Sequence, residues 1–307
     1  MSSKRPTITL QPHIDGLANL LLGPPGTGKT TALLDEVERA LAAGTPPERI
    51  VYVAFTRAAA NTAKSRAKQR FSLDDDDLPW FRTLHSLAFA QLQLDANEIM
   101  QTSHWRELGE MLGLDIRGIY ETDYDPPPSL GASGRGDALI QIYAYARATG
   151  LSPREAWRQC DPGNCDPADV ERFVRALEKY KHQRRLYDFA DLLDLAGDPI
   201  SCDLMILDEA QDLTKQQWDF ARRVGAYASK VVLAGDDDQA VYRWSGADVN
   251  ALLKLHAKRI VLPKSHRLPS NIYGFASEQL AMIDERIPKI WSPREAAGEV
   301  AFEPHLI

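Results

Sequence analysis

Apolar and polar positions along the chain follow two alternating patterns. Short apolar runs from Asn19 to Leu22, Ile50 to Phe55, Leu204 to Leu207 and Val231 to Ala234 have the length of buried strands. Between them lie stretches with helical spacing. From Thr30 to Ala43 the apolar residues are Leu33, Leu34, Val37 and Leu41, and Gly44 with Pro46-Pro47 ends the pattern. Ala58 to Arg70 is Ala-rich, basic and strongly helix-forming. Further helical patterns cover roughly 97–113, 137–148, 153–159 and 167–183. Strands alternating with helices predict an α/β fold with a parallel sheet. The largely helical block from about 90 to 185 reads as an insertion into that sheet. Pro126-Pro127-Pro128, followed by Gly131, Gly134 and Gly136, marks a loop inside the block.

The 307 residues are 44% hydrophobic and 26% charged, enough for a sizeable core and unlike a disordered chain. No apolar run approaches the roughly 18 residues of a membrane span, and no apolar segment follows Lys4-Arg5 as in a secretory signal. No membrane partner is expected. Cys160, Cys165 and Cys202 give neither a disulfide framework nor a metal site and point to a reduced, cytoplasmic compartment. The net charge of −7 means that a nucleic-acid contact must come from a local groove. The acidic run Asp74 to Asp77 and the basic helix carrying Lys64, Arg66, Lys68 and Arg70 read as solvated surface.

Candidate chemistry begins with Gly23-Pro24-Pro25-Gly26-Thr27-Gly28-Lys29-Thr30, a complete G-x-x-x-x-G-K-[ST] phosphate loop between a predicted strand and a predicted helix. Its glycines let backbone N–H groups turn toward a phosphate, and the helix adds its positive end. Lys29 supplies a charge for the β/γ-phosphates, and Thr30 supplies a hydroxyl for Mg²⁺. Asp208 and Glu209 follow the strand Leu204–Leu207 directly. Two carboxylates at the carboxyl end of a strand suit metal binding and water activation, since ligands of open α/β sheets bind there.

Six further segments carry a family resemblance. Asp208-Glu209-Ala210-Gln211-Asp212 resembles motif II of the superfamily 1 helicases of UvrD/Rep/PcrA type. Phe55-Thr56-Arg57-Ala58-Ala59-Ala60 resembles motif Ia, and Thr83-Leu84-His85-Ser86-Leu87 resembles motif Ib. Tyr187 to Leu193 resembles the segment preceding motif II. Gly235 to Ala247 resembles motif III, and Ser265-His266-Arg267 resembles motif IV.

The resemblance implies a RecA-like P-loop domain split into residues 1–89 and 187–261, a helical insertion over 90–186, and the start of a second RecA-like domain over 262–307. It implies ATP and Mg²⁺ as cofactors, with the loop residues Gly23 to Thr30 on the phosphates and Thr30 and Asp208 on the metal. Glu209 would activate water, Gln239 would sense the γ-phosphate, and Arg267 would reach it. Gln11 and His266 would contact adenine. Single-stranded DNA is the implied partner. Phe55, Tyr242 and Trp244 would stack on bases, while Thr56, Arg57, Thr83 and His85 would meet phosphates. The implied activity is ATP-driven movement on single-stranded DNA. A nucleotide-gated DNA-binding or interaction subunit is the alternative.

Three departures from the family pattern stand out. Ser245 replaces an arginine of motif III, and Arg57-Ala58 replaces Asn-Lys in motif Ia. Motifs V and VI, the latter with a further arginine, are not among the 307 residues. The chain is therefore expected to be a fragment of a longer helicase or a natural short protein, either working with a second polypeptide or keeping only part of the activity.

Overall fold

The computed structural model describes residues 18–117, 134–160 and 164–301. Six parallel strands form one sheet: β1 (Ala18–Leu22), β2 (Ile50–Val53), β3 (Phe81–Arg82), β4 (Leu204–Leu207), β5 (Lys230–Gly235) and β6 (Lys258–Val261). Their order is β3-β2-β4-β5-β1-β6. The fold is α/β of the RecA-like type. β3 and β6 give weak sequence signals, because β3 has two residues and β6 begins Lys258-Arg259.

Alternation along the strands divides the interior into two layers. Leu21, Tyr52, Ile206 and Val232 face one side, where they meet Leu33, Leu34 and Val37 of α1 (Lys29–Ala42) and Ala60, Ala63 and Ala67 of α2 (Arg57–Phe71). Leu20, Val53, Leu207 and Leu233 face the other. They meet α3 (Leu84–Leu92) through Leu84, Leu87 and Ala88. Both faces are covered, as unbroken apolar strands require.

The helices α4 (Thr102–Leu112), α5 (Arg135–Thr149), α6 (Pro153–Gln159) and α7 (Pro167–Arg184) enclose a core of their own, including Trp105, Ile140, Tyr143, Phe173 and Leu177. α4 starts at Thr102 rather than near 97. Residues 98–100 instead clasp Tyr187 through Tyr187 N to Glu98 O (2.8 Å) and Met100 N to Tyr187 O (2.8 Å). Those backbone bonds compete with a helical turn. Tyr187 then leads into α8 (Phe189–Leu195), which packs on the sheet layer through Leu192 and Leu193. At this junction Lys181 is buried with Asp188 (2.8 Å) and Asp191 (2.7 Å), and Tyr143 Oη donates to Asp188 (2.7 Å). Asp188 also caps α8 by accepting from Asp191 N. α9 (Lys215–Val224) and α10 (Val249–Leu253) complete the second layer through Trp218, Phe220 and Leu252. The prolines 126–128 and Gly131 fall outside the described residues.

Past Val261 the chain leaves the sheet. β7 (Lys264–Pro269) pairs in parallel with β8 (Ser292–Arg294), and α11 (Ser270–Leu280) connects toward it without a buried residue. The basic helix α2 is neutralised locally. Lys64 and Lys68 pair with Asp75 of the acidic run, and Arg70 pairs with Asp35. Among the described residues, no helix is long and apolar enough to cross a membrane.

Candidate functional site

The phosphate loop leaves the carboxyl end of β1, at the edge where β4 and β5 also end. Gly23 N donates to Gly235 O at 3.2 Å, fixing the loop against β5. Gly26 and Gly28 have φ of 76° and 85°, a left-handed backbone that glycine adopts without steric cost. Thr27 donates through N and Oγ1 to Pro24 O, closing the turn. Gly28 is the N-cap of α1, so the helix N-terminus faces the loop's concave side. Lys29 is nearly buried; its Nζ donates to Gly23 O (3.0 Å) and lies 3.7 Å from Glu209 Oε2.

Asp208 and Glu209 come from 178 residues further along the chain, yet Thr30 Oγ1 donates to Asp208 Oδ2 at 3.4 Å. The same carboxylate oxygen accepts from the buried Tyr52 hydroxyl at 3.0 Å. Burial and the neighbouring Glu209 charge push the Asp208 carboxyl up to about 6. A hydroxyl and a carboxylate this close are hard oxygen donors of the kind that Mg²⁺ takes, and the glycine-shaped loop beside them fits a phosphate. The residues present thus fit both groups. Glu209 is a non-glycine residue with φ of 53°, strain of the order of 1–3 kcal/mol. Its N–H is held by Asp208 Oδ1 (3.0 Å) and its Oε2 by Gln211 Nε2 (3.1 Å).

The motif IV segment lies on the phosphate loop. Ser265 Oγ donates to Pro25 O at 2.6 Å, and His266 N donates to Gly26 O at 2.9 Å. A Cβ built on Gly26 would stand 2.3 Å from Arg267 Cβ. Gly26, His266, Arg267 and Arg294 line one open cleft.

The loop after β5 has two parts in different surroundings. Gln239 Nε2 donates to Asp236 Oδ2 (2.5 Å), and Asp236 N donates to Gln211 of the motif II segment. A few residues on, Tyr242 lies between Phe55 (ring centroids 5.4 Å apart) and Trp244 (6.4 Å), forming a row whose outer ring, Trp244, is 44% exposed. Asp236, Asp237 and Asp238 lie close enough to suggest a metal site. The Lys289 ammonium instead bonds all three, and Arg286 pairs with Asp238, so protein cations neutralise the cluster.

A profile of the UvrD/REP helicase N-terminal domain matches residues 11–198 and 200–259. The chain belongs to the UvrD/REP helicase family. It is 24% identical over 310 residues to the ATP-dependent DNA helicase PcrA of Leuconostoc citreum, covering 92% of this chain and 40% of that protein. It is 23% identical to PcrA of Bacillus subtilis (strain 168), with the same coverage, and 26% identical over 298 residues to DNA helicase II of Escherichia coli (strain K12), covering 89% of this chain and 40% of that protein. The chain thus spans about 40% of the length of these curated relatives.

Within this family frame, Thr56 and Thr83 are helix N-caps. Their hydroxyls accept from Ala59 N (3.0 Å) and Ser86 N (3.3 Å) at the starts of α2 and α3. Both helix N-termini follow the carboxyl ends of sheet strands, and Arg57 begins α2 in an exposed position. His85 meets Phe189 edge-on at 5.4 Å, and burial lowers its imidazole to about 4, so it is neutral near pH 7. Gln11 lies outside the described residues. Three site residues escaped sequence reasoning: Tyr52, read only as a strand residue, Gln211 and Arg294. Gln211 lay inside a recognised motif without an assigned task, and Arg294 lay in none.

Proposed function

We propose that this chain is the N-terminal motor portion of an ATP-dependent DNA helicase or translocase acting on single-stranded DNA. The observation that carries this reading is the loop after β5, which joins Gln239 at the nucleotide edge to Tyr242 and Trp244 in the aromatic row. A change at the nucleotide would reach the stacking surface through a few residues of backbone. The family membership and the names of the relatives support the same reading.

ATP would lie on the loop Gly23–Thr30, with Mg²⁺ held by Thr30 and Asp208. The metal would neutralise phosphate charge. Lys29 would do the same as a point charge, Glu209 would orient and activate water, and Arg267 would stabilise charge developing at the γ-phosphate. Phe55, Tyr242 and Trp244 would stack bases, with Thr56, Arg57, Thr83 and the neutral His85 near the DNA backbone. Residues 18–89 and 187–261 form the nucleotide domain in this reading, with 90–186 as its helical insertion. Residues from 262 begin a second motor domain, and a second polypeptide that supplies motor residues is a proposed partner. A cytoplasmic location accords with three free cysteines.

The test is ATP hydrolysis by the 307-residue chain with and without single-stranded DNA, with Lys29→Ala as the control. Stimulated turnover that disappears in the variant supports an autonomous motor. ATP and DNA binding without turnover supports the alternative, a nucleotide-gated DNA-binding subunit. Absence of ATP binding removes both.

A further inference from the structure

The cleft over the phosphate loop contains a cation that the motif scheme does not use. Arg294 ends β8 and stands opposite Pro269 in the β7–β8 register, two residues beyond Arg267 on the paired strand. It lines the same cleft as Gly26, His266 and Arg267. Several other arginines of the chain pair with a carboxylate, Arg39, Arg49 and Arg286 among them. Here, among the described residues, neither the Arg267 nor the Arg294 guanidinium has a hydrogen-bond or ion-pair partner. The nearest acidic neighbour in sequence, Glu295, pairs with Lys264 instead (3.4 Å). Arg267 is fixed to the loop through the Gly26 contact and the Ser265 and His266 hydrogen bonds. Through β-pairing, Arg294 is fixed to the strand carrying Arg267.

Two unpaired guanidiniums beside a phosphate-shaped loop form an anion clamp, since planar guanidinium forks match phosphate oxygens. We propose that Arg294 is a nucleotide-contacting residue that, with Arg267, grips the polyphosphate of a nucleoside triphosphate on the loop Gly23–Thr30. This inference rests on the nucleotide-site reading above and adds a residue to it. The ligand class is a nucleoside polyphosphate rather than a nucleoside, because the cleft's unsatisfied groups are cationic.

The experiment measures equilibrium affinity for ATP and for AMP, with Mg²⁺, in the 307-residue chain and in Arg294→Ala, Arg294→Lys and Lys29→Ala. Arg294→Ala is expected to weaken ATP about tenfold and AMP less than twofold, with Arg294→Lys recovering part of the loss. The urea unfolding midpoint monitors the fold. Unchanged ATP affinity in Arg294→Ala, with affinity lost in Lys29→Ala, overturns the Arg294 assignment and leaves the phosphate-loop reading intact. Equal losses for ATP and AMP also overturn it, since the residue then acts through strand packing. If the unaltered chain binds neither nucleotide, the site reading fails, and this inference fails with it.

Discussion

Gln211 holds Glu209 from the side, donating from Nε2 to Glu209 Oε2 across 3.1 Å. The opposite end of the same amide accepts from Asp236 N at 3.1 Å, and Asp236 in turn accepts from Gln239. The strained carboxylate of motif II is thereby tied to the loop after β5 by hydrogen bonds to one side chain. Gln211→Ala should leave ATP affinity within about twofold and lower single-turnover hydrolysis roughly tenfold, the cost of about one misoriented charged hydrogen bond. Glu209→Gln should stop hydrolysis while retaining binding. Full activity in both variants would remove this network from the chemistry.

The aromatic row leads to a separate expectation. Trp244 is the exposed end of the row, with Tyr242 behind it. Trp244→Ala should weaken single-stranded DNA binding by about 1–3 kcal/mol, the value of one base-stacking contact, without changing ATP affinity. Fluorescence anisotropy with a labelled oligonucleotide reads the first quantity, and a nucleotide titration reads the second. Unchanged DNA affinity would leave Trp244 a surface residue with no stacking role.

Gly26 connects the phosphate loop to the motif IV strand. A methyl group there meets Arg267 Cβ at 2.3 Å and also forces alanine into a φ of 76°. Gly26→Ala should therefore cost on the order of 1 kcal/mol from the backbone alone and displace β7 from the loop. ATP affinity should fall along with the unfolding midpoint. Wild-type values for both would show that the strand moves aside freely.

Asp212 offers a pH signature. Burial, helped by the Glu209 charge, raises its carboxyl to about 7, and one of its oxygens is buried without a partner. A carboxyl whose folded pKa exceeds its unfolded value near 3.9 favours the fold when protonated. Its contribution is complete below about pH 4 and is lost as pH rises through about 7. Asp212→Asn should remove that loss, so the variant should gain on the natural chain between about pH 4 and 7. The slope is at most about 1.4 kcal/mol per pH unit. Urea unfolding at a series of pH values measures the difference, and parallel profiles would place the ionised Asp212 in a better-solvated site.

Much of the candidate nucleotide site is written in local sequence, because its demands are local. Left-handed turns require glycine at Gly26 and Gly28, a helix must start at Lys29, and carboxylates must follow a buried strand at Asp208 and Glu209. The apolar periods likewise placed β1, β2, β4, β5 and the helices α1, α2 and α5 to α7 to within a few residues, but not α3, α9 or α11. Periodicity does not register pairings between distant segments. It therefore extended the helix before α4 into residues that clasp Tyr187, and it passed over the two-residue β3. Only the tertiary structure brought the Tyr52 hydroxyl to Asp208, filled the Asp236–Asp238 cluster with Lys289, and stood Arg294 in the cleft beside Arg267. Each of these depends on which strand neighbours which and on where charge is left unpaired once the chain has packed. Sequence spacing specifies the backbone a ligand needs, whereas long-range packing decides which remote side chains face that ligand.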